Sequence, residues 1–398
     1  MAQDPLTLFF KTTVYYGEGK LSELGGILRT LNVSKALMVT DQGIMASGIG
    51  ERCKKAILTD HIDVALFDGV EPNPTTECVN KGLMVAGKEA IHCIVAIGGG
   101  SAIDAGKAIN VLSANGGEVK DYCGLNRVKK KGFPFIAIPT TAGSGSEMSS
   151  YMLISDSETH QKLVCSDPHI IPDVAILDPT LTVSLPISVT IESGVDALSN
   201  GIESYVSKLA NPYSEVFSLR SIEMIAQNIV RVCQEPSDLS ARSQMLIGSN
   251  IGALALHLSS IGAAHSMANP LTRYFNVRHG IAVGMVLPYV MLFNARASSV
   301  VEKYARIALA LGVMPAEGES PMAHARKGAE KVRHLLDQLS LPASLAEMGV
   351  REDGTSVMVQ DALTQISLTY NPIQPTPEQM TKLFLSAIRG DLSLPIQA

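Results

Sequence analysis

Apolar and polar positions follow two rhythms along this chain, and the change from one to the other comes once. In the first half, residues 35–40, 61–67, 93–97, 135–138 and 174–177 form short apolar runs of strand length. Such runs read as buried strands. Between them, residues 50–59, 75–90 and 102–112 space their apolar positions as helices do, with Thr75 or Thr76 as an N-cap for the second. Strands alternating with helices build βαβ units around a mostly parallel sheet. After Pro186 the short runs stop. Helical patterns cover 191–208, 214–233, 238–258, 281–293, 300–311, 321–339 and 377–389, with no convincing strand among them. The pattern predicts an α/β domain over 1–186 and an all-helical domain over 187–398, with no internal repeat and no low-complexity linker.

Composition narrows the field. The chain has 398 residues, 46% of them hydrophobic and 18% charged, and a formal net charge of -6. Disorder requires a less apolar chain, and a nucleic-acid partner is not expected without a basic surplus. Residues 243–272 contain no Asp, Glu, Lys or Arg, a stretch long enough to cross a bilayer. The same stretch carries Gln244, Asn250, His257, Ser259, Ser260, His265, Ser266, Asn269 and Pro270, groups that are costly in lipid. It reads as a buried part of the helical domain whose polar residues can line a site, and no membrane partner is expected. Residues 1–8 have no basic segment and include Asp4 and Pro5, so a secretory leader is not expected and a cytoplasmic protein is. The six cysteines form no CxxC pair and are expected as reduced, mostly buried thiols.

Two loops follow predicted strands and carry candidate chemistry. Gly98-Gly99-Gly100-Ser101 leads into a helix that includes Asp104. Glycines there let backbone approach a ligand, and the helix N-terminus offers N–H groups to a phosphate. The spacing is not the GxGxxG fingerprint. Asp41, just past the first strand, can accept bonds from ribose hydroxyls and repel a 2′-phosphate, which favours NAD over NADP. It can equally serve as a cap. The second loop, from Pro139 to Glu147, holds Thr140, Thr141, Ser144 and Ser146 as donors placed at a strand end.

The helical half concentrates potential metal ligands. Asp196 and Asn200 stand at i and i+4 on one helix face, as do His265 and Asn269, and His279 follows in Arg278-His279-Gly280. One carboxylate and two imidazoles with an open position suit a catalytic divalent metal.

With these motifs the sequence resembles the iron-containing (group III) alcohol dehydrogenases over essentially its whole length. The marks are the segments from Gly98 to Asp104, Pro139 to Glu147, Asp173 to Pro179 and Gly194 to Leu198, followed by His265, Pro270-Leu271 and His279-Gly280. The resemblance implies a Rossmann-like dinucleotide-binding domain followed by a helical metal and substrate domain, with the active site in the cleft between them. It implies NAD(H), a divalent metal (iron, with zinc or another ion as substitutes), a small alcohol or aldehyde substrate, and a homodimer or larger homo-oligomer. Lys162 matches a lysine that relatives place near the cofactor. The family holds its metal with an Asp and three His. Asp196, His265 and His279 match three of these, and Asn200 replaces the fourth. Asn269 replaces a further His that many members keep near the nicotinamide.

These departures have chemical consequences. An amide oxygen is a weaker donor than imidazole toward iron or zinc. Asn269 cannot act as acid or base near neutral pH, which leaves proton transfer to solvent, substrate or a ribose hydroxyl. Arg273 and Arg278 add charge where relatives are apolar or small, and either can hold an anionic group of a substrate. The expected activity is metal-assisted, NAD-dependent reduction of an aldehyde or oxidation of an alcohol. Two other readings stay open: a reductase that works without metal, as maleylacetate-type relatives do, and a non-catalytic nucleotide-binding relative. A lyase similar to dehydroquinate synthase fits the motifs less well.

Overall fold

A computed structural model describes residues 11–59, 61–159 and 161–393. The expectation drawn from residues 1–8 lies outside this range. The chain divides into two compact units: one ends at Thr140 and resumes over Ser146–Leu181, and the other comprises Thr141–Gly145 and the chain from Thr182 onward.

The first unit contains β1 (Thr13–Tyr16), α1 (Leu24–Thr30), β2 (Lys35–Val39), α2 (Gln42–Ala46), α3 (Ile49–Leu58), β3 (Asp63–Phe67), α4 (Thr76–Lys88), β4 (Cys93–Gly98) and α5 (Gly100–Asn115). They are followed by β5 (Gly124–Leu125), β6 (Phe135–Pro139), β7 (Tyr151–Ser155), β8 (Lys162–Ser166) and β9 (Val174–Leu177). Six strands form one parallel sheet in the order β1-β9-β6-β4-β2-β3. Its central strands are continuous apolar runs because both faces are covered. Ile94 and Ala96 enter one hydrophobic cluster, while Cys93, Val95 and Ile97 enter the other. Thr75 caps α4 by accepting from the Cys78 N–H.

Several elements differ from the sequence expectation. The second run, 61–67, begins its strand at Asp63 because His61 adopts a left-handed φ of 59° in the preceding turn. Helix α5 begins at Gly100 rather than Ala102, so Ser101 belongs to its first turn. Strand β1 and the hairpin β7–β8 were not expected. β1 is a sheet edge with mostly exposed side chains, and β7 pairs antiparallel with β8 in a separate three-stranded sheet.

The second unit is helical: α6 (Ile187–Val206), α7 (Pro212–Gln234), α8 (Leu239–Leu258), α9 (Ala263–Phe275), α10 (His279–Asn294), α11 (Val301–Ala310), α12 (Pro321–Gln338), α13 (Thr355–Thr364) and α14 (Pro377–Arg389). The charge-free run is therefore two helices, α8 and α9, which meet at 107°. Among the described residues no single helix is long and apolar enough to cross a membrane, and this bent pair passes by length and composition alone. Most residues of α9 and α10 are buried in the unit's core, including Ala268, Leu271, Val283 and Phe293. All six cysteines are free thiols.

Candidate metal and cofactor sites

The metal candidates sit on three helices of the second unit. Asp196 and Asn200 lie on α6, His265 in the first turn of α9, and His279 at the start of α10. One ligand atom from each of Asp196, His265 and His279 lies within 4.8 Å of the other two. The His265 and His279 ring centroids are 5.6 Å apart, and His265 Nε2 is 3.5 Å from Asp196 Oδ1. Gly280 allows this approach: a Cβ there would collide with the backbone carbonyl oxygen of Glu192 on α6.

Asp196 Oδ1 is buried and has no hydrogen-bond partner. A buried carboxylate oxygen left this way is costly, and it faces two imidazoles at ligand-to-ligand spacing. The residues therefore fit a divalent ion of the kind that accepts O and N ligands. Burial works against the charged form of Asp196, yet the adjacent His265 and His279 imidazoles and the Asn200 amide hold its carboxyl below the usual range. Burial also opposes charge on His265, but its bond to Glu203 and the neighbouring Asp196 carboxylate outweigh this and push it up to about 9.

Glu203 was not singled out from the sequence. It is 3% exposed, and its Oε2 lies 2.5 Å from His265 Nδ1. The signal was present: Asp196, Asn200 and Glu203 follow i, i+4, i+7 along one face of the helix. Asn200 is 4% exposed and lies beside Asp196, where it helps lower that carboxyl's pKa. Asn269 is half-buried, and its Nδ2 donates to Gln365 Oε1 at 2.9 Å. Arg273 and Arg278, candidates to hold an anionic group of a substrate, each have a carboxylate partner. Arg273 pairs with Asp361 at 3.3 Å, and Arg278 with Glu192 at 3.2 Å.

The cofactor candidates gather mainly in the first unit. Strands β2 and β4 are adjacent, and the chain leaves them toward opposite sides of the sheet. This is a topological switch point, where such sheets bind nucleotides beyond the strand ends. Asp41 follows β2 and Gly98 ends β4. Gly98 has a φ of 149°, and a Cβ there would meet Ala102 Cβ at 2.7 Å and Asp41 Oδ2 at 3.3 Å. Asp41 Oδ1 caps α2 by accepting from the Ile44 N–H at 2.9 Å. Gly99 is the N-cap of α5, and Gly100 and Ser101 open that helix with their backbone N–H groups at its positive end. Gly98 pairs with Pro139 across β4 and β6, and the next residue, Thr140, has a buried hydroxyl with no partner. A tight glycine turn, a helix N-terminus and an orphaned hydroxyl fit a nucleotide diphosphate.

Other expected cofactor contacts are engaged differently. Asp104 accepts from Ser146 Oγ and, at 3.0 Å, from the Leu153 N–H. Both Asp104 and Ser146 also face Lys107, whose Nζ lies 3.0 Å from Ser146 Oγ and 3.9 Å from Asp104 Oδ1. These contacts link α5 to the loop and to β7. Lys107 was missed because a lysine on a helix reads as a surface residue. Lys162 donates to Asn73 Oδ1 at 2.7 Å, and the Asn73 N–H donates to Ser101 Oγ at 3.3 Å. Asn73 is thus a neighbour of two candidates that the sequence reading did not include. Thr141 and Ser144 fall in the segment that packs with the helical unit, where Ser249 Oγ donates to the Gly143 carbonyl at 3.1 Å.

Comparison with known proteins finds the same family along both units of the chain. The sequence model for iron-containing alcohol dehydrogenase matches residues 11–179, and the one for the C-terminal region of the Fe-containing alcohol dehydrogenase family matches residues 190–388. Alcohol dehydrogenase 4 of Saccharomyces cerevisiae is 33% identical, covering 94% of this chain and 96% of its own. An NAD-dependent methanol dehydrogenase of Bacillus methanolicus is 34% identical over 94% of this chain and 97% of its own. The crystal structure of a 1,3-propanediol oxidoreductase superposes with a TM-score of 0.91 at 32% identity, covering 94% of this chain and 97% of that one. Matches that run through both units at this identity leave one conclusion: the chain belongs to the iron-containing alcohol dehydrogenase family, oxidoreductases that act on CH–OH groups.

Proposed function

We propose that this protein is an NAD-dependent alcohol dehydrogenase or aldehyde reductase for small substrates, with a divalent metal held by Asp196, His265 and His279 and iron as the leading candidate. The observation that carries the reading is the convergence of those three ligand atoms around a buried Asp196 oxygen without a hydrogen-bond partner. When bound, the ion polarises a substrate oxygen and stabilises alkoxide charge, while the nicotinamide carries the hydride. Asp41 would select the unphosphorylated ribose, and the turn at Gly98 with the start of α5 would seat the diphosphate. Asn200 lies beside Asp196, where the family resemblance implies a third imidazole, so it would leave the metal fewer nitrogen ligands. Asn269 holds Gln365 and moves no proton. Because Arg273 and Arg278 are each engaged by a carboxylate, we favour a small neutral substrate over an anionic one. The free cysteines suit a reducing cytoplasm, and a homo-oligomer follows from the family resemblance.

The test combines metal content with cofactor turnover. The purified protein is loaded with Fe²⁺ or Zn²⁺, dialysed, and assayed for bound metal and for NADH oxidation against a panel of small aldehydes. We expect about one ion per chain, turnover with short neutral aldehydes, and loss of both in Asp196→Ala. Full activity after exhaustive chelation would overturn the metal assignment in favour of the metal-independent reading. Silence across the panel would overturn the redox assignment.

A further inference from the structure

We infer that Glu203 is a positioning residue: it fixes the tautomer of His265 and thereby decides whether the Nε2 of that ring can take a metal. The inference rests on the metal reading proposed above. Glu203 is buried on α6, on the same face as Asp196. Its two carboxylate oxygens have separate tasks. Oε1 accepts from the Ala264 N–H at 2.6 Å, and Oε2 accepts from His265 Nδ1 at 2.5 Å.

The first task concerns the helix that carries the imidazole. The N-cap of α9 is Gly262, which offers no side-chain cap. The leading N–H groups of a helix need acceptors, and here they come from outside: Glu203 for Ala264, and Asn371 Oδ1 for Ala263 at 3.1 Å. The second task concerns the ring itself. A carboxylate only accepts, so Nδ1 must carry the proton that forms the bond. In the neutral ring Nε2 then holds the lone pair, and Nε2 is the atom 3.5 Å from Asp196 Oδ1. Outer carboxylates that hold a ligating histidine in this way fix both ring orientation and tautomer.

A carboxylate can perform both tasks and an amide of the same shape cannot. In Glu203→Gln one oxygen becomes an NH₂ donor. If the remaining oxygen accepts from Ala264, the NH₂ faces Nδ1, which must then become the acceptor, and the proton moves to Nε2 and blocks it. If the amide turns the other way, the Ala264 N–H faces a donor and the first turn of α9, where His265 sits, loses its acceptor. Packing volume is the same in either case. A role limited to filling space would therefore be preserved by Gln, whereas a positioning role would not.

The experiment titrates Co²⁺ into metal-free, full-length wild-type, Glu203→Gln and Glu203→Ala proteins, with circular dichroism as the check on folding. We expect Glu203→Gln to keep the wild-type helical spectrum, to bind Co²⁺ about 10–100-fold more weakly, and to shift the ligand-field absorption of the bound ion. Glu203→Ala is expected to bind at least as weakly; if it does not fold, Glu203→Gln carries the test. Wild-type affinity and an unchanged cobalt spectrum in Glu203→Gln would overturn the inference and leave the metal reading standing. Failure of the wild-type protein to bind Co²⁺ would overturn the metal reading and the inference with it.

Discussion

Asn200 stands one helical turn from Asp196, where the family resemblance implies an imidazole, and it is buried beside that carboxylate. A histidine at this position would add a nitrogen ligand to the proposed site of one carboxylate and two imidazoles. We expect Asn200→His to tighten metal binding by at least about tenfold, the scale on which ligand-shell changes act. Metal retained after dialysis against a chelator measures this, and equal retention by the two proteins would reject it. Asp41 offers a second test at this scale because its two oxygens separate stability from selectivity. Oδ1 caps α2, and Asn caps about as well as Asp, so Asp41→Asn should change stability by less than about 0.5 kcal/mol. The lost charge no longer repels a 2′-phosphate. The preference for NADH over NADPH, read as the ratio of kcat/KM values, should fall by about tenfold, equivalent to about 1.4 kcal/mol. A constant ratio would remove Asp41 from cofactor selection. The partners of these residues were less legible in the sequence than the residues themselves. Arg273 looked available to a substrate only because Asp361 is distant along the chain and reaches it through the fold.

Elements with one dominant pattern were readable, and those whose pattern serves two masters were not. Strands β2, β4, β6 and β9 are apolar on both faces and stand out. Hairpin β7–β8 does not, because its outward Leu153 and Val164 are 39% and 38% exposed and erase the alternation that would mark a half-buried strand. The end of α8 at Leu258 was readable but helix α9 was not, because the uncharged run continues past a 107° bend without a new pattern to mark it. Lys107 shows the same effect in the interior of α5. It is 1% exposed, and its Nζ donates to the carbonyls of Ser149 at 3.0 Å and Tyr151 at 2.7 Å. It thereby ties α5 to the segment that connects the hydroxyl loop with β7. Burial pulls its pKa down to about 8 against the opposing pull of Asp104 and Glu147. Lys107→Met matches the stem but removes the charge, leaving Asp104 buried without its cation. Breaking a buried pair from one side costs about 3–5 kcal/mol, so this variant should unfold at distinctly lower urea than wild type. A midpoint within error of wild type would show that the ammonium contributes nothing to holding α5 and β7 together.

At the scale of the whole molecule, each unit has its own core: one cluster in the helical unit and two on the faces of the parallel sheet. The division follows from the change in sequence rhythm, since helices with long apolar faces and strands with short apolar runs bury their surfaces in different ways. It has a thermodynamic consequence. Asp196, His265 and His279 come from α6, α9 and α10, all in the helical unit, whereas the turn at Gly98 and the start of α5 lie in the other. A ligand stabilises what it binds, by about 1.4 kcal/mol for each tenfold excess over its Kd, and that energy enters first where its ligating groups are. Hydrogen exchange followed peptide by peptide resolves such local stability. Adding Zn²⁺ should slow exchange in peptides from α6, α9 and α10 and leave β2 and β4 nearly unchanged. Adding NADH should do the reverse, protecting peptides around Asp41 and from Gly98 into α5. In Asp196→Ala the zinc effect should vanish while the NADH effect stays. Zinc protection spread evenly over both units, or persisting in Asp196→Ala, would mean that the ion binds elsewhere, and the convergence of one carboxylate and two imidazoles would then need another explanation.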